Sequence, residues 1–501
     1  MPTPSRRQFL VAGTLATLGL GLTACTTGGD WVTIEAKALD ELRKQLHGRL
    51  LLPGQPGFTD AWMPTNGRYR DTVPMVVARV ADEQDVVTCV KWAKKYDIQP
   101  VARGGGHNYA GLSTTTGLIV DLSRLNAVKI DTGSATAITG GAASNRDVFQ
   151  ASTGGPLLLP GGTCLSVGMG GLTLGGGIGY HTHWAGLTSD HLTKTRMVTA
   201  AGDIVTADRN TNADLFWASR GGTGGTFGIN TSFEYDLVPV PTSDIVYYRF
   251  DWTGADAALA MFSTFDELEQ SAPPEFVASA MAQATPVGAA GPRAAIDVMV
   301  RGQFLGSKDD FLGLVGPLLK ASPPAKQQIV VQPFWTTAKI FTTAESPNHS
   351  WGDISRYTKA ALPAATVQKM VDLIAETPSR SSSNNAALFM LGWIGGSVMD
   401  KFSRTETAYV HRGMTNMWRP SPVWENIAPK SVSDDLLAWT DEVIAVMKPD
   451  SVNESYQNFP NRSIRDWQQQ YFGENLDRLL SVKKKWDPHN VFHSEQSLPV
   501  K

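Results

Sequence analysis

Pro100-Val101-Ala102-Arg103-Gly104-Gly105-Gly106-His107 places three consecutive glycines and a histidine directly after a strand-like run. Glycine lacks a Cβ, so such a loop can turn sharply and bring backbone N–H groups close to an anion such as a pyrophosphate. A second stretch, residues 161–179, holds nine glycines in nineteen residues, with Cys164 near its start. A third, Arg220-Gly221-Gly222-Thr223-Gly224-Gly225, precedes a long apolar run. None of the three has the spacing of the dinucleotide fingerprint or of the Walker loop. A tight turn would explain any one of them. Three together, one bearing His and one Cys, need something to fill the space that glycine opens. The expected ligand is long, flat and phosphate-bearing, wrapped by backbone.

The flanking pattern reads strand, helix, strand. Residues 75–80 are strand-like, and Ala81-Asp82-Glu83-Gln84 opens a helix carrying Val86, Val87, Val90 and Ala93. Strands are expected at 98–102, 118–122, 128–131 and 135–139, and on both sides of the Ala201-Gly202-Asp203 turn. Residues 226–238 form a longer strand closed by Pro239 and Pro241, where the first unit ends. Upstream, Leu39, Leu42 and Leu46 recur at helical spacing. Between 242 and 446 the pattern gives strands at 245–252, 295–303, 328–332 and 388–393. Helices are expected at 255–270, 309–319 and 434–447. This α+β alternation fits a mixed sheet covered by helices on one face.

The chain has 501 residues, enough for two folding units. A net charge of -3 with no basic stripe argues against a nucleic-acid partner. Ser5-Arg6-Arg7-Gln8-Phe9-Leu10 is a twin-arginine pattern before an uncharged run, and Leu22-Thr23-Ala24-Cys25 resembles a lipobox. Residues 1–25 are therefore expected to direct export. Cys25 is a candidate lipid anchor, with ordinary cleavage near Ala24 as the alternative. Cys89 falls in a helical stretch, where a buried thiol is the default. Too few cysteines remain for a disulfide framework, so Cys164 needs another explanation.

Taken together the motifs resemble the berberine-bridge-enzyme-like FAD-linked oxidases of the vanillyl-alcohol-oxidase (PCMH-type) superfamily. The resemblance rests on Arg103-Gly-Gly-Gly-His107-Asn-Tyr-Ala-Gly111, Gly161-Gly-Thr-Cys164-Leu-Ser-Val167-Gly-Met-Gly-Gly171, Gly186-Leu-Thr-Ser-Asp190, Asp214-Leu-Phe-Trp-Ala-Ser-Arg220-Gly-Gly and Asp487-Pro-His-Asn-Val-Phe492. It implies an FAD-binding domain at 50–241, completed by 447–501, and a substrate domain at 242–446 with an antiparallel sheet covered by helices. It also implies FAD held on two covalent bonds, from His107 to the 8α-methyl carbon and from Cys164 to ring carbon C6. Around them Arg103, Gly104, Gly105, Gly106, Asn108, Gly111, Gly161, Val167, Gly168, Gly170, Gly171, Gly176, Gly228, Ile229 and Asn458 are expected to contact the cofactor. Each attachment needs a nucleophilic form, neutral imidazole or thiolate, which aimed backbone N–H groups can favour.

Tyr456-Gln-Asn458-Phe459 is similar to the family's Tyr-x-Asn-Tyr element, which makes Tyr456 the expected base, supported by Tyr109. A phenol of pKa near 10 is a poor base at neutral pH, so a donor or positive charge should depress it. The resemblance implies two-electron oxidation of a secondary alcohol or sugar hemiacetal. A small residue at the Val167 position favours molecular oxygen as acceptor. Ile178 stands where many plant relatives carry Tyr, so their aromatic alcohols do not transfer. His181, His183 and His191 could suggest a metal, but no zinc spacing accompanies them and none is expected. Lys483-Lys484-Lys485 reads as a solvated helix face. The competing expectations are an oxidative cyclase or dehydrogenase of a natural product, the cyclase favoured by an acidic base, and a non-catalytic envelope lipoprotein, against which the His107 and Cys164 pair speaks.

Overall fold

The computed structural model describes residues 22–25, 31–285, 294–342 and 349–500. The twin-arginine pattern lies outside the described residues. The backbone of Leu22–Cys25 pairs antiparallel with Trp31–Ile34. Among the described residues no helix is long and apolar enough to cross a membrane.

Asp82 caps the helix Glu83–Lys95, its Oδ1 accepting from the Asp85 N–H at 3.0 Å. Val86, Val90 and Trp92 turn the helix onto a four-stranded sheet in the order Arg49–Leu51, Val76–Arg79, Leu118–Asp121, Pro100–Arg103. The last three strands are parallel, so each emerges at the same edge of the sheet. That edge is where Gly104 begins. The helix Ala36–Gln45 joins this core through Ala38, Leu39 and Leu42, and Trp92 Nε1 donates to the Ala38 carbonyl at 2.8 Å. The unit's core thus begins near Ile34, before the expected boundary at residue 50. A second, antiparallel sheet follows in the order Ile204–Asp208, Leu192–Val198, Ile229–Asp236, Thr136–Gly140, Val128–Asp131.

The largest sheet has eight strands. Its path runs Lys326–Gln332, Ile245–Thr253, Ile296–Phe304, Phe276–Ala284, Asn385–Leu391, Asn416–Glu425, His349–Trp351, and Arg356–Thr358 also pairs with Asn416–Glu425. The pattern alone suggested a mixed sheet, yet every pairing among the described residues is antiparallel. Successive side chains alternate between faces. Tyr248, Phe250, Phe276, Ala280, Val300, Met390 and Trp418 meet the helices Ala255–Glu269, Lys308–Ala321, Ala364–Ala375 and Lys430–Met447 in one buried cluster. The fold is α+β, with helices on one face of this sheet. The opposite face, bearing Ser279, Arg301, Phe389, Leu391 and Arg419, looks onto the cavity described below.

Two of these strands escape a pattern reading. Phe276–Ala284 is rich in alanine, which has low strand propensity. Asn416–Glu425 contains Pro420 and Pro422, which argue against a central strand. Both prolines fall between the short partners Arg356–Thr358 and His349–Trp351, where the outer edge has no ladder to lose.

The tail returns to the first unit. Phe492 packs in the core of the four-stranded sheet. Lys483 is not on a solvated face: it is fully buried, and its Nζ donates to Asp487 Oδ2 (2.6 Å), the Phe492 carbonyl (2.6 Å) and the Thr226 carbonyl (3.0 Å). Asp487 also accepts from the Val491 and Phe492 N–H groups, so the Asp-Pro-His-Asn-Val-Phe motif is a clasp. Lys484 and Lys485 do face solvent. Removing one partner of a buried, hydrogen-bonded pair leaves the other charge uncompensated. Lys483→Met should therefore cost about 3–5 kcal/mol in urea unfolding; a loss below about 1 kcal/mol would mean the clasp is ornamental.

Candidate functional site

A cavity of about 600 Å³ runs from the Gly-rich loops to the open face of the large sheet. Its floor depends on two loops touching backbone to backbone. A Cβ on Gly105 would stand 2.4 Å from the Gly168 nitrogen, and one on Gly168 would stand 2.5 Å from the Gly105 nitrogen. No side chain fits at either position, so the His107 loop and the Cys164 loop share one place.

Each loop is then held separately. Gly106 turns at φ +69°, where a Cβ would meet the Arg103 guanidinium. Arg103 is buried and donates to the Trp62 carbonyl (2.6 Å) and the Met63 carbonyl. Asn108 Oδ1 accepts from the Ala110 and Leu112 N–H groups, at 3.0 and 2.9 Å. The fully buried Asn66 ties this loop to the other unit: its Nδ2 donates to the Tyr109 and Trp351 carbonyls, and its Oδ1 accepts from the Trp351 N–H. On the second loop, Asn145 Nδ2 donates to the Cys164 carbonyl at 2.9 Å, and Asn145 N–H donates to the Val167 carbonyl.

Of the expected contacts, Gly104, Gly105, Gly106, His107, Asn108, Tyr109, Cys164, Val167, Gly168, Gly170, Gly171, Gly228, Ile229, Tyr456 and Asn458 line the cavity. Four do not. Arg103 is the anchor just described. Gly111 (φ +72°) lies against the Tyr69 ring, Gly161 against Asn145 and Gly179, and Gly176 (φ +122°) against Tyr409. These four shape the loops from behind.

Tyr456 is 1% exposed. Its Oη accepts from the Gly177 N–H (2.9 Å) and from Asn458 Nδ2 (3.2 Å), and its own N–H donates to Ser355 Oγ (2.8 Å). The expected depression of its pKa is absent. Burial pushes the phenol up to about 12 despite the Gly177, Asn458 and Ile178 donors. Burial also raises Tyr109, opposed chiefly by the Arg419 cation beside it. Phe459, where the family pattern has Tyr, stacks on Tyr109 (5.0 Å between centroids) and meets Tyr456 edge-on (5.1 Å).

Three charged residues of the cavity were missed from sequence, Arg419, Asp353 and Arg301. The guanidinium of Arg419 lies over the Phe389 and Phe459 rings at 4.6 and 5.0 Å, and pairs with Asp353 at 3.4 Å. Burial raises the Asp353 carboxyl to about 6, against the opposing pull of Arg419, Ser421 and His107. Cys164 is close enough to act electrostatically on both Tyr109 and Arg419. His107 stands 5.9 Å from the Tyr109 ring and 5.7 Å from the Trp351 ring. His107, Cys164, Tyr109, Arg419 and Asp353 thus form one neighbourhood. The one signal was for Arg419, a lone charge between Trp418 and Pro420; Asp353, among His349, Ser350, Ser355 and Arg356, carries none.

The three histidines that could have suggested a metal bond to protein groups. His181 Nδ1 lies 3.3 Å from Gln303 Nε2, His183 Nδ1 3.1 Å from the Pro274 carbonyl, and His191 Nε2 2.7 Å from the Ala185 carbonyl. Thr182–Ala185 is helical, so the strand geometry that would align His181 and His183 does not form.

Residues 74–208 match the family described as FAD binding domain, and residues 455–499 the family described as berberine and berberine like. An uncharacterized FAD-linked oxidoreductase of Bacillus subtilis (strain 168), YvdP, is 30% identical over 464 residues, covering 91% of this chain and 98% of that protein. The glucooligosaccharide oxidase of Sarocladium strictum is 27% identical over 446 residues, covering 84% of this chain and 86% of that protein. The xylooligosaccharide oxidase from Myceliophthora thermophila C1, solved in complex with xylobiose, superposes with a TM-score of 0.80. It is 22% identical and covers 93% of this chain and 99% of that one. Gly105→Ala or Gly168→Ala should push the two loops apart, costing about 1–3 kcal/mol. Most of the bound flavin should be lost with it, as read by visible absorbance of the purified protein; full flavin content in both variants would show that the loop contact is dispensable.

Proposed function

The chain belongs to the FAD-linked oxidoreductases that join an FAD-binding domain to a berberine-like segment, and on that footing we propose that it oxidises a secondary alcohol or sugar hemiacetal with molecular oxygen as acceptor. The observation that carries the reading is the meeting of His107, Cys164 and Tyr456 on one cavity. The residues fit the cofactor: the volume lies in the range of cofactor sites, and Cβ positions on Gly171 and Gly225 point into open space. His107 and Cys164 would hold the flavin covalently. The bound flavin would supply the two-electron acceptor.

The rest is work for this chain's own side chains. The substrate loses a carbinol hydrogen with its electron pair, and Tyr456 Oη takes the hydroxyl proton as the C=O bond forms. The two electrons and two protons end on oxygen as hydrogen peroxide. Tyr456 takes the hydroxyl proton as the phenolate, its own proton having gone to solvent beforehand, and Gly177 N–H and Asn458 Nδ2, aimed at its lone pairs, stabilise that anion. Tyr109, kept in place by Asn66 and Phe459, closes the wall behind. The sugar oxidases among the relatives support carbohydrate as the substrate class. The cell address follows from the leader alone: we propose twin-arginine export with lipidation of Cys25, which an intact mass of the envelope form would test.

Asp353 favours a second reading, an oxidative cyclase with an acidic base. A carboxyl raised to about 6 is ionised at neutral pH, whereas a phenol near 12 is not. The pH profile separates the two. If Tyr456 is the base, kcat/KM for peroxide release should keep rising from pH 6 to 10, and Tyr456→Phe should lose about 10²–10⁴-fold with flavin content intact. A profile that rises through about 6 and then stays flat, lost in Asp353→Asn but not in Tyr456→Phe, would transfer the role to Asp353.

A further inference from the structure

Across the open face of the large sheet, Arg301, Ser279 and Leu391 sit opposite one another on adjacent strands, and all three line the cavity. Next to Arg301 in the same ladder is Arg249, whose guanidinium is neutralised by Asp251 at 2.7 Å. Arg301 has no such carboxylate among the described residues. Its Nε donates to Tyr180 Oη at 2.8 Å, and its two terminal amino groups have no protein partner there.

The guanidinium is nonetheless held still. Tyr180 is 2% exposed, stacked on Phe341 at 3.8 Å between centroids and tilted against Trp393 at 4.7 Å. An arginine fixed at Nε presents its other edge as a planar fork, the shape that takes a carboxylate through two parallel hydrogen bonds. Among the described residues no acid of the cavity answers it. Asp353 is engaged by Arg419 and Ser421, on the strand three spacings, roughly 14 Å, from that of Arg301. Tyr180 lies three residues beyond Gly177, whose N–H bonds Tyr456, so the fork belongs to the substrate end of the cavity.

We propose that Arg301 is a carboxylate subsite and that the substrate is an acidic sugar, oxidised at a hydroxyl while its carboxylate rests on the Arg301 fork. This rests on the alcohol-oxidase reading above and adds its substrate class. Ser279 offers a hydroxyl beside the fork, and the Trp393 ring offers an apolar wall for a pyranose face. A short hydroxy acid shares the carboxylate chemistry but would leave that wall bare.

The test uses the flavin-loaded full chain with D-glucuronate, its neutral amide glucuronamide, D-glucose and L-lactate. Peroxide release should favour glucuronate over glucuronamide by about tenfold or more in kcat/KM, carried by KM, with lactate poor. In Arg301→Gln the ratio of acid to amide should fall to about one, and Arg301→Lys should restore part of it. Calorimetric titration gives the same acid-to-amide ratio in affinity even where no turnover occurs. Absence of turnover with all four would sink the oxidase reading and leave the subsite to be judged by binding. Equal affinity for acid and amide in the wild type would overturn the subsite. So would an Arg301→Gln variant in which both fall equally while the flavin spectrum shifts, since the guanidinium would then serve the cofactor.

Discussion

Two glycine backbones in contact, Gly105 and Gly168, fix the distance on which everything else in this molecule depends. The parallel strands Val76–Arg79, Leu118–Asp121 and Pro100–Arg103 deliver the first loop to one sheet edge. The capped helix Asn145–Ser152 holds the second loop through Asn145. Because neither glycine tolerates a Cβ at this approach, the contact is set by chain sterics rather than by attraction. His107 and Cys164 inherit their proximity from it.

The large sheet divides its labour by face. One face is closed by aromatic and aliphatic side chains against four helices, which makes a rigid wall. The other carries Arg301 opposite Ser279, Ser279 opposite Leu391, and Arg419 opposite Phe389, two residues before Leu391, all spaced by the ladder itself. A site built on strands rather than loops keeps its polar groups in register. The loops and the wall are joined by Asn66, while the Lys483–Asp487 clasp fastens the tail to the first unit at Thr226. Tyr456 sits between, on the returning tail, with its oxygen held by the glycine loop it faces.

Much of this could be read from the chain. The helix at Glu83–Lys95 shows its cap and its apolar period, and Val128–Asp131 shows its alternation. The glycine loops were legible because glycine has few uses except close approach and positive φ. What escaped depends on tertiary context. Phe276–Ala284 is a strand because sheet neighbours on both sides and helices on one face demand it, not because alanine prefers it. Lys483 is buried although Lys484 and Lys485 after it are exposed, because its partners come from residues 226, 487 and 492. Arg419 and Asp353 carry no motif, and Arg301 acquires meaning only from having no acid beside it among the described residues. The acidity of Tyr456 went the other way from expectation because burial outweighs its donors.

The central claim is that one flavin is shared by two nucleophiles brought together by glycine contact. The most direct test is mass spectrometry of a tryptic digest of the purified yellow protein. The account predicts a single species in which the peptide bearing His107 and the peptide bearing Cys164 are joined through one flavin. Finding both peptides unmodified, with all colour released on denaturation, would contradict it.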